Sequence, residues 1–87
     1  MTLFEKFKEK YPELMAKESA NLDATELICE LMNSQKVKLK TLAKKLEMPA
    51  SDLQKMLNGE TDITVRVLGE ALCHLGYEIK LFAKKLE

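Results

Sequence analysis

At 87 residues the chain is one domain long. Folding at that size buries only about 60 to 65% of the surface of the unfolded chain, so a partner would add to a modest stability. Apolar residues make up 46% beside three Gly and two Pro, which argues against disorder and for a mostly helical fold. The formal net charge of zero argues against a generic polyanion binder, because affinity for phosphate grows with the number of cations brought to it. The charge is unevenly spread, however: −3 over residues 1–35, +4 over 36–55, −3 over 56–79 and +2 over 80–87.

Two cysteines and one histidine cannot complete a four-ligand zinc site within one chain, so neither a metal nor a cofactor is expected. Cys29 and Cys73 fall in predicted helices and read as buried free thiols in a reducing cytosol, with a disulfide as the alternative. No apolar run approaches the ~18 residues of a membrane span, and the N-terminus lacks a signal-peptide core. The expectation is a cytoplasmic protein without membrane contact.

Thr2 is placed to cap a helix whose Leu3, Phe4, Phe7, Tyr11, Leu14 and Met15 recur at spacings of three and four. Pro12 interrupts it and is expected to begin a second short turn, because proline removes a backbone donor and disfavours helical geometry at Tyr11. This stripe reads as core or dimer contact. Glu18 to Leu22 reads as a polar connection. Asp23, with Glu26 three residues on, then makes a capping-box signature for a helix over about 23–34 that carries Leu27, Ile28, Leu31 and Met32.

Gln35 to Lys38 reads as a loop in which Val37 plugs the core. The stretch Leu39 to Gly59 follows, two short amphipathic helices joined by a tight turn. Its buried positions are Leu42, Ala43, Leu46, Met48, Leu53, Met56 and Leu57, and it is flanked by lysines. Ser51, Gln54, Lys55 and Asn58 fall on the outer face of the second helix, and Lys40, Lys44 and Lys45 lie outward on the first. Asn58-Gly59 ends the pair as a left-handed cap. Thr64 is an N-cap for a helix over Val65 to Leu75, with Val65, Leu68, Ala71, Leu72 and Leu75 buried and Gly76 closing it. His74 reads as exposed or half-packed. Beyond Gly76 the period changes to two: Tyr77, Ile79 and Leu81 alternate with Glu78, Lys80 and Phe82, as in a strand. With no partner in its own chain, that strand is expected to pair across a twofold axis as the dimer interface, through Tyr77, Ile79 and Leu81.

Leu42-Ala43, Leu46, Met48, Leu53, Asn58-Gly59 and the helix from Thr64 to Gly76 together resemble the helix-turn-helix family of the lambda repressor and Cro type, the Xre family, over about residues 23–76. The resemblance implies a mainly α fold, a five-helix lambda-repressor-like helix-turn-helix domain to which the C-terminal β-strand adds a dimer seam. The organisation is one domain over 1–87: a helical extension over 1–22, the core over 23–76, and a dimerising strand with a basic tail over 77–87.

In that family the second helix of the pair lies in the major groove of double-stranded DNA. The resemblance therefore assigns base contact to Ala50, Ser51, Gln54, Lys55 and Asn58, with Gln54 suited to adenine and Lys55 to guanine or a phosphate. Phosphate contact falls to Lys36, Lys38, Lys40, Lys44 and Lys45. The chain departs from the family pattern at four positions. Leu39 stands in place of a phosphate-binding Gln, Glu47 in place of a turn Gly, which puts mild strain there, and Pro49 in place of a capping Ser or Thr. Asp52 suits the helix dipole and repels phosphate.

The overall layout is more loosely similar to antitoxins of HigA type, which repress their own promoters and bind a ribonuclease toxin. No carboxylate pairs with the histidine, and there is no phosphate-cradling loop or nucleophile elbow, so no enzyme is expected. The reading is a homodimeric, sequence-specific DNA-binding regulator, a repressor. The alternative is an antitoxin with a toxin protein as partner, or a helix-turn-helix interaction module without DNA.

Overall fold

The computed structural model describes residues 12–83 and 85. Four α-helices and no strand occur among them: α1 (Pro12–Gln35), α2 (Leu39–Lys45), α3 (Ala50–Leu57) and α4 (Val65–His74). The expected five helices and C-terminal strand are therefore corrected on both counts.

The first correction concerns α1, which runs unbroken through Glu18 to Leu22, where a connection was expected. After Pro12, at the first helical position where its missing N–H costs nothing, no Gly or Pro follows until after Gln35. Ser19, Asn21 and Asp23 are weak helix formers, but each costs at most about 0.7 kcal/mol relative to Ala, which tertiary contacts outweigh. Two such contacts are present: the Ile63 amide donates to Asn21 Oδ1 at 2.9 Å, and Gln35 Nε2 donates to the Leu75 carbonyl at 2.7 Å. Asp23 and Glu26 thus sit inside a helix, exposed, and cap nothing. Leu3, Phe4, Phe7 and Tyr11 of the N-terminal stripe lie outside the described residues, as do the side chains of Leu14 and Met15.

All four helices end in the same way. In α1 the Val37 amide donates to the Met32 carbonyl at 2.9 Å and the Lys36 amide to Asn33 at 3.3 Å, the paired bonds of a Schellman closure. The same pair recurs as Met48 to Ala43 with Glu47 to Lys44, as Glu60 to Lys55 with Gly59 to Met56, and as Tyr77 to Leu72 with Gly76 to Cys73. Such a closure needs a left-handed residue just beyond the helix. Gly59 and Gly76 supply it at φ of 81° and 89°, whereas Lys36 and Glu47 adopt φ of 57° and 56° despite carrying a Cβ.

Ile28 and Met32 of α1, Leu42 and Ala43 of α2, Leu53 of α3, and Ala71 and Leu75 at the end of α4 form one buried cluster. Val37, Leu46, Met48 and Leu57 are partly buried against it, so the two interhelix turns are sealed by their own apolar residues. Thr64 caps α4 as expected, its hydroxyl oxygen accepting from the Val67 amide at 3.1 Å. Two positions expected inside are instead open: Val65 is 66% exposed and Leu27 43%. The cysteines are free, Cys29 half-buried and Cys73 exposed, so the expectation of two buried thiols fails at Cys73.

The second correction concerns Tyr77, Ile79 and Leu81. Residues 77–83 form neither helix nor strand, so the C-terminal strand expected of them is absent. A ladder needs a second extended segment, and among the described residues of the chain none pairs with 77–83. The Tyr77 amide is already committed to the Leu72 carbonyl at 2.8 Å. Ile79 folds back over α4, its Cγ2 3.9 Å from where a Cβ on Gly69 would stand. Leu81 and Phe82 are 79% and 92% exposed.

Candidate nucleic-acid interface

The candidate interface is built on α2, the Leu46–Pro49 turn and α3. Buried Leu42 and Ala43 fix the inner face of α2, and Leu53 fixes that of α3, with Ala50 and Leu57 packed beside it. Ala50, Leu53 and Leu57 are spaced i, i+3, i+7 and form one inward stripe. Ser51, Gln54, Lys55 and Asn58 follow i, i+3, i+4, i+7 on the outward side, and all four are exposed. Ala50, expected among the base-contacting residues, is half-buried against the core, so the outward stripe consists of the other four.

Lys36 and Lys38 stand in the connection from α1 to α2, and Lys40, Lys44 and Lys45 on α2; all five are exposed. With Lys55 they make six cations against two carboxylates over residues 36–55. The described ion pairs lie elsewhere: Lys17 with Asp62 at 3.0 Å, Arg66 with Glu70 at 3.1 Å and Lys80 with Glu78 at 2.7 Å. None of the six lysines is spent on another described residue. Thr41, exposed on α2 between these lysines, is a polar position the sequence reading passed over; its place one residue after Lys40 and three before Lys44 is the signal that marks it.

The two carboxylates have defined places. Asp52 lies in the first turn of α3, where the helix dipole favours it. Glu47 is the left-handed residue that closes α2. Pro49 is the N-cap of α3, at φ −62° and ψ 140°, and contributes no side-chain hydrogen bond to the first amides. Chemically the surface is a short helix with hydroxyl, amide and ammonium groups in one row, beside a second helix rich in lysine. It can donate hydrogen bonds and neutralise phosphate charge. Among the described residues no group of three or more His, Cys, Asp or Glu could hold a metal ion, and no helix is long and apolar enough to cross a membrane. No family model, no curated protein and no solved structure matches the chain.

Proposed function

We propose that the chain is a sequence-specific DNA-binding regulator of the helix-turn-helix kind, a repressor, with α3 entering the major groove. The observation that supports this most is the outward row Ser51, Gln54, Lys55 and Asn58 beside exposed lysines on the preceding helix and turn that no described residue pairs with. Gln54 and Lys55 have the donor geometry for adenine and guanine edges, and Lys36, Lys38, Lys40, Lys44 and Lys45 supply phosphate contacts. One helix of eight residues reads only a few base pairs, so the reading includes two copies on a palindromic site with half-sites about one helical turn apart.

The test is fluorescence anisotropy with the DNA flanking the chain's own gene, at several salt concentrations. A sequence-dependent complex at micromolar protein, weakening steeply with salt, is expected. Lys40→Ala should weaken binding to all sequences alike and lower the salt slope by about 1, whereas Gln54→Ala and Lys55→Ala should each cost about 1 to 3 kcal/mol on the preferred site alone. Binding that is absent, or indifferent to both salt and sequence, rejects the reading.

A further inference from the structure

Away from the lysine-rich helices, the structure carries an open apolar groove of about 800 Å³ between α1, α4 and the chain beyond Gly76. Leu27 of α1 stands on one side and Val65 and Leu68 of α4 on the other, with Ile79, Leu81 and Phe82 lining it from the segment after α4. We propose that a second copy of the chain covers this groove, the two grooves packing face to face about a twofold axis with Phe82 of each copy seated beside Val65 of the other.

The exposed area fits such a pair. Leu27, Val65, Leu81 and Phe82 all line the groove and all stand exposed. At about 200 Å² for a large side chain fully open to water, they leave roughly 550 Å² of apolar surface uncovered, at the upper end of what a monomer shows. A stable pair needs about 800 Å² per copy, and homodimer interfaces are about 65% apolar. Four side chains therefore supply the apolar share of a standard interface, and the charged residues around them supply its rim.

Charge and shape select a like partner. Lys17, Asp23, Asp62 and Lys80 line the groove and sum to zero, with Lys17 paired to Asp62 at 3.0 Å. Such a face meets its own copy without net repulsion, whereas the stretch over residues 36–55, with six lysines against two carboxylates, repels its copy. A twofold contact also needs a projection and a recess on the same surface, and here both are present. Ile79 anchors the segment over Gly69, and Phe82 beyond it projects almost fully exposed beside the recess. No residue of α2 or α3 lines the groove, so pairing here leaves both lysine-bearing helices open. The pair supplies the second copy that the proposed reading of a palindromic site calls for, yet its grounds are area, shape and charge, which stand without that reading.

The test is sedimentation equilibrium of the full chain from about 1 to 100 μM protein, where a mass twice the 9.9 kDa of one chain is expected toward the upper end. Leu81→Asp with Phe82→Asp places like charges in the seam and should weaken the pair at least about hundredfold. Both side chains are exposed and lie outside the helices, so helicity by circular dichroism should be retained. A monomer throughout the range, or a dimer unmoved by the two aspartates, overturns the proposal.

A second measurement uses milder variants. Two chains are made with Cys29→Ala and Cys73→Ala, one carrying Val65→Cys and the other Phe82→Cys, and are mixed under mild oxidation. The bond between unlike chains should form at least about tenfold faster than the bond of either chain with its own copy. Equal rates for all three bonds overturn the proposed seating of Phe82. Neither measurement contains DNA: a monomer that still reads DNA overturns the pair and spares the regulator, and a dimer indifferent to DNA does the reverse.

Discussion

Replacing Glu47 by glycine should stabilise the protein. Glu47 closes α2 in a left-handed conformation, φ 56°, with its amide donating to the Lys44 carbonyl and that of Met48 to Ala43, both at 3.1 Å. Holding an L residue there costs about 1 to 2 kcal/mol, whereas glycine pays no Cβ penalty but loses about 0.5 to 1 kcal/mol more conformational entropy on folding. The difference favours Glu47→Gly by about 1 kcal/mol, which for a domain of this size raises Tm by about 4 to 8 °C.

Part of any gain could come from removing a carboxylate from the C-terminal end of a helix, worth about 0.3 kcal/mol, so Glu47→Gln is the control that removes charge and keeps the Cβ. Gly59→Ala calibrates the same term with the opposite sign. Gly59 has φ 81° and nothing within 4 Å of an added Cβ, so its loss of about 1 kcal/mol is backbone conformation alone. Urea unfolding followed by circular dichroism, with m-values unchanged, measures all three. If Glu47→Gly is no more stable than Glu47→Gln, left-handed strain at this turn is refuted.

Other substitutions probe the remaining contacts by the same assay. Leu53→Ala empties a fully buried position shared by three helices and should cost about 2 to 5 kcal/mol. Asn21→Ala leaves the Ile63 amide without its acceptor and should cost about 1 to 2 kcal/mol, loosening the loop before α4. Thr64→Ala removes the cap on the Val67 amide, at about 1 kcal/mol. The Asp62 carboxylate, by hydrogen bond first and by charge second, holds the Lys17 ammonium above its ordinary pKa of 10.5. A raised folded pKa stabilises fully below the unfolded value and is lost as pH rises through the folded one. The advantage of the parent over Lys17→Met in Tm should therefore persist to pH 10.5 and fade only above it; fading near pH 8 would contradict the pairing.

The parts of the fold legible in the sequence are those whose signals are local. Leu42, Ala43 and Leu53 mark buried faces by spacing alone, and Gly59, Gly76 and Thr64 mark helix ends by backbone chemistry that few other residues supply. Where the same chemistry is done by an unsuited residue, the local signal vanishes, as at Lys36, or is legible only through the family pattern, as at Glu47; both left-handed closures are held by the flanking Val37 and Met48 packing on the core. Ser19, Asn21 and Asp23 mislead for the reverse reason. They are residues that begin helices, placed where nothing ends one, and Asn21 is occupied with a loop 42 residues away in sequence.

The strand failed because alternation describes one chain and a strand is a relation between two. Tyr77 to Phe82 alternates in sequence, but in the structure only Ile79 turns in, over Gly69, while Tyr77 and Leu81 stand exposed and Glu78 pairs with Lys80 in solvent. Ala50 shows the same limit within the candidate interface. Its position relative to the family pattern assigned it to DNA, while its spacing from Leu53 and Leu57 on a 3.6-residue helix sends it inward. Periodicity within the chain is set by its own packing, so at Ala50 it is the stronger guide. By that guide the proposed base readout on α3 would rest on Ser51, Gln54, Lys55 and Asn58, and lengthening Ala50 should disturb stability before it disturbs any specificity.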